Sequence, residues 1–314
     1  MNSIAQYAGL ENAALPPSPL HLAIGMFDGV HLGHRAVIEA AVQSARRCSG
    51  TAAVLTFSPH PSVIFRPTQP TRLIMDLANK ARVLHRLGVD AMVVQPFTPE
   101  FAQLAAEEFI PWLKQRAPQL AAIYVGENFR FGRGRKGDIG LLVAEGRKHG
   151  LTVFSAPRVN FDGEPISSTR IRALLEAGDV TAANALFGYS YFAEGPVVPG
   201  KRLGRTIGFP TLNVAWAPDL RPRFGVYVVR VAGAKSVTAL PGVANYGLRP
   251  TVEQAVEPLL EAHVLGECPF ETGDLVTVKW LRFLRPEQKF SGVEELRAQI
   301  AKDRAEAAAD FSLR

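Results

Sequence analysis

Cysteine is scarce in this chain, with Cys48 and Cys268 the only two among 314 residues. They stand far apart and lack metal-ligand spacing, which excludes a disulfide framework or a cysteine zinc site and fits a reducing compartment. No apolar run reaches the ~18 residues needed to span a bilayer, so membrane insertion is not expected. The first twenty residues carry no basic segment leading into an apolar one, and a cytoplasmic location is therefore expected rather than export. Internal repeats and low-complexity tracts are also missing. Charged residues make up 20% and apolar residues 47%, ordinary proportions that leave disorder and fibrous structure aside.

Long basic runs are absent as well, although the net charge is +6 and the pI near 9.5. Such a charge suits anionic ligands. The densest basic groups, Arg130 to Lys136 and Lys201 to Arg205, are interleaved with glycine, which favours loops around a small phosphorylated ligand over a nucleic-acid surface.

The length suits two buried cores rather than one. In the first half, apolar runs at 21–25, 52–57, 91–95, 122–126 and 151–155 alternate with helical patterns at 34–47, 76–87, 105–116 and 139–149. That alternation predicts an α/β domain, a Rossmann-like parallel sheet with helices on both faces, binding its ligand at the carboxyl ends of the strands. After a helical run at 180–186 the pattern changes near Tyr189 to β-rich segments, including 225–232, 236–245, 259–265 and 275–283. These predict an antiparallel β-barrel, with a terminal amphipathic helix over 292–308 whose inner positions are Leu296, Ile300 and Ala307. The boundary is expected at Phe187–Gly188, giving domains 1–187 and 188–314.

The string Gly25-Met26-Phe27-Asp28-Gly29-Val30-His31-Leu32-Gly33-His34 follows the first of these strands and opens a helix. A glycine-lined strand-to-helix turn lets backbone amides approach phosphate oxygens, and the helix N-terminus favours negative charge. His31 and His34 can donate hydrogen bonds to the charge that develops when a phosphate displaces pyrophosphate from ATP, a reaction that needs positioning more than a covalent nucleophile. Alone, a His-x-x-His pair reads more simply as turn decoration. Three further segments accompany it: Thr56-Phe57-Ser58-Pro59-His60-Pro61, Gly126-Glu127-Asn128-Phe129-Arg130-Phe131-Gly132, and Ile166-Ser167-Ser168-Thr169-Arg170-Ile171-Arg172. Ser168 and Thr169 at a helix start present hydroxyls and free amides, with Arg172 in position to clamp phosphates.

In this order and spacing the segments resemble the nucleotidyltransferase half of the bacterial bifunctional riboflavin kinase/FAD synthetase family. The resemblance implies that Gly25, Phe27, Asp28, Gly33, Asn128, Ser168, Thr169 and Arg172 bind ATP or FMN and that His31 and His34 are catalytic. Two departures stand out: Met26 where the family usually has Asn, and Ser58 where it usually has Glu. They remove an amide and a carboxylate near the phosphates, and altered kinetics rather than an inactive half is the expectation.

The β-rich half carries Gly195 to Asn213, without a Walker A loop but with Gly200, Lys201, Arg205, Gly208, Pro210, Thr211 and Asn213 in close succession. Thr211 and Asn213 alternate along a strand and so present oxygens on one side, a plausible pair for Mg²⁺. A glycine- and proline-rich loop is by itself usually only a loop. Further segments follow at Gly225–Tyr227, Gly242–Thr251, Leu260–His263 and Leu284–Phe290, and together they resemble the flavokinase domain of the same family. By that resemblance Gly200, Lys201, Arg205, Gly208, Pro210, Thr211, Asn213, Asn245 and Arg249 bind ATP or riboflavin, and Glu261 is the base that deprotonates the ribityl hydroxyl. Strand alternation leaves open whether Glu261 faces the site or solvent. The segment Gly266 to Gly273 departs from the family's aspartate-rich turn.

The implied function is phosphorylation of riboflavin to FMN and adenylylation of FMN to FAD, with ATP as co-substrate and Mg²⁺ as cofactor. The implied partners are these small molecules and at most a weak homo-oligomer, without nucleic acid or membrane. An adenylyl- or cytidylyltransferase for another phosphorylated substrate, and a basic nucleic-acid binder on the same fold, are the rival readings.

Overall fold

Four short segments of the first half are apolar almost throughout, as strands covered on both faces must be, while a fifth, at 152–156, alternates between exposed and partly buried residues as an edge strand does. The computed structural model describes residues 4–200, 208–248 and 258–312. The strands are β2 (Leu20–Ile24), β3 (Thr51–Ser58), β4 (Ala91–Pro96), β5 (Leu120–Gly126) and β6 (Thr152–Ala156), joined at one edge by β1 (Ala5–Ala8), which was not among the expected runs. All pair in parallel in the order β1-β4-β3-β2-β5-β6. Successive strands therefore run outward from β2 on one side and from β5 on the other. The β2–β5 gap is the topological switch point, where an open parallel sheet leaves a crevice at its carboxyl end.

The crossing helices are α1 (Leu32–Arg47), the single turn α2 (Ser62–Phe65), α3 (Leu77–Arg86), α4 (Phe109–Arg116) and α5 (Ile139–Lys148). In α1 the buried positions Val37, Ile38, Ala41 and Ala45 make one apolar stripe against the sheet. Asp76 caps α3 by accepting a bond from Asn79 N at 2.7 Å. Helix α4 starts at Phe109 rather than 105, because Ala106–Glu108 forms a tighter 3₁₀ turn ahead of Pro111. A small hairpin, β7 (Asn160–Phe161) with β8 (Glu164–Pro165), precedes α6 (Ser168–Ala177).

By compactness the chain divides into residues 1–168 and 169–314. The second unit holds most of α6, then α7 (Val180–Phe187) and the strands β9 (Phe192–Val198), β10 (Leu212–Val214), β11 (Gly225–Gly233), β12 (Leu240–Leu248), β13 (Pro258–Val264) and β14 (Leu275–Arg285). These close into an antiparallel barrel in the order β10-β13-β12-β11-β14-β9. Its filling is aromatic: Tyr227, Tyr246 and Trp280 are all fully buried and meet edge to face. Helix α7 lies on β14 through Asn184 Nδ2, which donates to Trp280 O at 2.8 Å.

The terminal helix, α8 (Val293–Ser312), packs on β12 and runs past the expected end at 308. Of its expected inner positions Ala307 is buried, whereas Leu296 and Ile300 are only partly covered. The residue missed there is Asp303. It is buried because its carboxylate takes Arg285 Nη2 at 2.7 Å and Nε at 2.9 Å, so an ion pair substitutes for an apolar contact.

Candidate active sites

In the first unit β2 ends at Ile24, and the chain turns through residues 25–31 before α1 begins at Leu32. The turn bends tightly, with positive φ at Phe27 (45°), Gly29 (82°) and Val30 (38°), a conformation that non-glycine residues adopt at a cost. His31 is the N-cap of α1, and its Nδ1 accepts from His34 N at 3.3 Å. In the neutral ring the proton therefore sits on Nε2. The His31 and His34 rings stack at 3.5 Å, and Phe27 meets His34 edge-on at 5.4 Å. A Cβ at position 33 would come within 3.2 Å of the His31 ring, a tight approach that Gly33 avoids.

Gly25, Phe27, His31, Gly33, His34, Asn128 and Ser168 all line one cleft of about 300 Å³ at the switch point. Ser168 Oγ donates to Asp28 O at 2.9 Å, holding the last residue of the first unit against the turn. The Asp28 carboxylate is buried and accepts from Ile74 N at 3.0 Å and Met75 N at 3.4 Å. Asn128 follows β5, and its Oδ1 takes Arg158 Nη2 at 2.6 Å, while Arg158 Nε pairs with Glu127 at 2.8 Å. Thr169 and Arg172 lie on α6.

A second cavity, of about 460 Å³, opens from the same turn and shares Gly25, Met26, Asn128 and Phe129 with the cleft. Its walls are aromatic. Phe57, Phe65, Phe97 and Phe101 form a chain of ring contacts near 6 Å, and Phe109, Phe129 and Phe131 form another. Arg130 and Arg135 complete the lining. A flat apolar group fits this box while a phosphate attached to it reaches the cleft. Sequence reasoning gave these aromatics no role because they come from separate segments, although Phe57, Phe129 and Phe131 stand inside quoted motifs. It also missed Lys80, buried behind the turn.

In the barrel, Asn213 on β10 stands directly opposite Glu261 on β13, and Glu261 directly opposite Asn245 on β12. Paired positions in antiparallel strands share a face, so the three side chains form a row. Along β13 the alternate residues Leu260, Ala262 and Val264 are buried, so Glu261 and His263 occupy the opposite face from the barrel filling. Asn213 is itself buried, and a Cβ at Gly200 would collide with its side-chain amide, which is why glycine stands there. Gly208 has φ of +87° and leads into Pro210, whose carbonyl accepts from His263 Nδ1 at 2.8 Å. Thr211 is exposed just ahead of β10. Lys201, Arg205 and Arg249 lie outside the described residues. The donors in this row are oxygens and amides, the chemistry of a hard cation, and no group of three or more His, Cys, Asp or Glu suited to a metal occurs among the described residues.

Residues 16–170 match the family model described as FAD synthetase, and residues 187–311 match that described as riboflavin kinase. A bifunctional riboflavin kinase/FMN adenylyltransferase of Escherichia coli strain K12 is 37% identical over 306 residues, with 97% of each chain covered. Its counterpart in Bacillus subtilis strain 168 is 36% identical over 296 residues, covering 93% of this chain and 92% of the relative. A solved structure titled macrolide-efflux protein, from Streptococcus pneumoniae, superposes with a TM-score of 0.85 at 28% identity, covering 98% of this chain and 99% of that one. Among the described residues no helix is long and apolar enough to cross a membrane.

Proposed function

This chain belongs to the bifunctional riboflavin kinase/FMN adenylyltransferase family, and we propose that its two halves divide the work at Phe187–Gly188. The observation that carries the reading is the pair of cavities meeting at Gly25 and Met26, one aromatic and one lined by the two histidines. Residues 1–187 join FMN to the adenylyl group of ATP; residues 188–314 phosphorylate riboflavin. Both reactions consume ATP with a divalent cation.

In the first half the isoalloxazine ring lies among Phe57, Phe97, Phe101 and Phe129, and the FMN phosphate enters the cleft. A phosphate oxygen of FMN attacks the α-phosphorus of ATP, the bond to the β-phosphate oxygen breaks, and pyrophosphate leaves. His31 Nε2 and His34 donate to the oxygens on which charge accumulates. Gly25, Phe27, Asp28 and Gly33 shape the turn around the phosphates, and Asn128, Ser168, Thr169 and Arg172 bind the nucleotides.

In the second half Glu261 accepts the proton of the ribityl 5′-hydroxyl as that oxygen attacks the γ-phosphorus of ATP and ADP departs. Asn245, Gly200, Gly208, Pro210, Lys201, Arg205 and Arg249 hold substrate and nucleotide. Thr211 and Asn213 are the residues that would hold Mg²⁺, which on the nucleotide phosphates supplies neutralisation of charge. We propose a cytoplasmic enzyme whose partners are small molecules, with at most weak self-association and no nucleic-acid or membrane surface.

The test is a time course of the intact chain with riboflavin, ATP and Mg²⁺, the fluorescent flavins being separated by chromatography. FMN should appear first and FAD after it. A salt-dependent nucleic-acid shift without flavin turnover would overturn the reading.

A further inference from the structure

Lys80 sits on α3 and is only 2% exposed. A buried ammonium is expensive unless its protons are used, and here they are directed at one peptide. Nζ donates to Met26 O at 2.7 Å and to Thr56 Oγ1 at 3.2 Å, and Thr56 Oγ1 itself donates to Met26 O at 3.0 Å. The connection is reciprocal. From the turn, the Asp28 carboxylate reaches back to the amides of Ile74 and Met75, just ahead of the Asp76 cap of the helix that carries Lys80. The turn and the start of α3 thus clasp each other from both sides.

The two arms of the clasp, at Met26 O and the Asp28 carboxylate, flank Phe27 with φ of 45°, and Val30 with φ of 38° follows two residues on. In a planar trans peptide the carbonyl and the next N–H point in opposite directions. With Met26 O held against Lys80 and Thr56, Phe27 N–H points away from them, and Met26 and Phe27 both line the cleft. That N–H has no protein acceptor among the described residues. Burial lowers the Lys80 ammonium to about 8, opposed by the charge of Asp28.

We propose that Lys80 is a positioning residue for adenylyl transfer: through Met26 O it holds the strained turn so that Phe27 N–H is presented to a phosphate oxygen in the cleft. The proposal rests on the adenylyltransferase reading of that cleft. Lys80 touches no reacting atom and lines neither cavity, and its effect should fall on turnover more than on flavin binding, since the aromatic walls come from residues other than the turn it holds.

The test uses the intact chain carrying Lys80→Met, assayed for FAD formation from supplied FMN, for FMN formation from riboflavin, and by thermal melting. A turn displaced by about 1 Å should lower kcat for FAD formation by about 10- to 100-fold. KM for FMN and the kinase activity should stay within about twofold and the melt should not fall, a combination that mere loss of structure does not produce. Should Lys80→Met fail to fold, Thr56→Val removes one of the two bonds to Met26 O and keeps the charge; it should lower kcat severalfold. Unaltered kcat in a folded variant overturns the inference alone, as does a loss shared equally by both activities. A wild-type chain that makes FMN and never FAD overturns the site reading and the inference with it.

Discussion

The rings of His31 and His34 lie face to face, 3.5 Å between centroids and 18° from parallel, while His31 Nδ1 also caps the helix that carries His34. The two histidines therefore differ in duty although both line the cleft. Replacing either by alanine is expected to lower FAD formation by about 10² to 10³, the usual loss for one transition-state donor, and to leave riboflavin phosphorylation intact. His31→Ala should also destabilise the first unit by about 1 kcal/mol through the lost cap, which His34→Ala should not. Equal loss of both activities in a folded mutant would point to a shared nucleotide site.

Glu261 stands opposite Asn213 and Asn245 in the β10-β13-β12 ladder. Glu261→Gln keeps volume and shape, and should lower kcat for FMN formation by about 10² to 10⁴, as for other positioned bases. Mg-ATP binding should survive in that mutant, whereas Thr211→Ala or Asn213→Ala should raise the Mg²⁺ requirement. FAD formation from supplied FMN should be spared in all three. Wild-type kcat in Glu261→Gln would remove the residue from the mechanism.

Cutting at Phe187–Gly188 is expected to separate the activities, so that residues 188–314 alone convert riboflavin to FMN. That cut detaches α7, whose Phe187 is fully buried and stacks on Tyr191. A fragment of residues 169–314 should therefore melt higher than 188–314 by an amount readable in calorimetry. A cooperative melt for 188–314 without FMN formation would refute independence of the halves.

The stability of the first unit should respond to pH through Lys80, whose ammonium burial lowers from 10.5 to about 8. Below pH 8 both folded and unfolded chains carry the proton, and the folded state bears the full penalty of the buried charge. Between 8 and 10.5 the unfolded chain binds more protons, so stability rises with pH in that window. The rise is at most about 1.4 kcal/mol per pH unit. Lys80→Met lacks the term, so the stability difference between the two proteins should shift in favour of wild type from pH 7.5 to 9.5 in unfolding titrations. A pH-independent difference would mean that the lysine does not lose its proton in this range.

Local chemistry in the sequence determines much of this protein. Period-3.6 and apolar patterns located the helices and five of the six strands, four of them because buried parallel strands must be apolar on both faces. The glycine turn with its histidines was equally visible, since close backbone approach is a property of a few neighbouring residues. What folding alone decided was long-range. Glu261 faces Asn213 and Asn245 only because strand pairing fixes a register that alternation leaves twofold. Phe57, Phe97, Phe101 and Phe129 become one cavity only when β3, β4 and β5 end at the same edge of the sheet. Lys80, in a helix pattern indistinguishable from any solvated one, is committed to Met26 by packing from 54 residues away, a distance along the chain over which side-chain pattern carries no information.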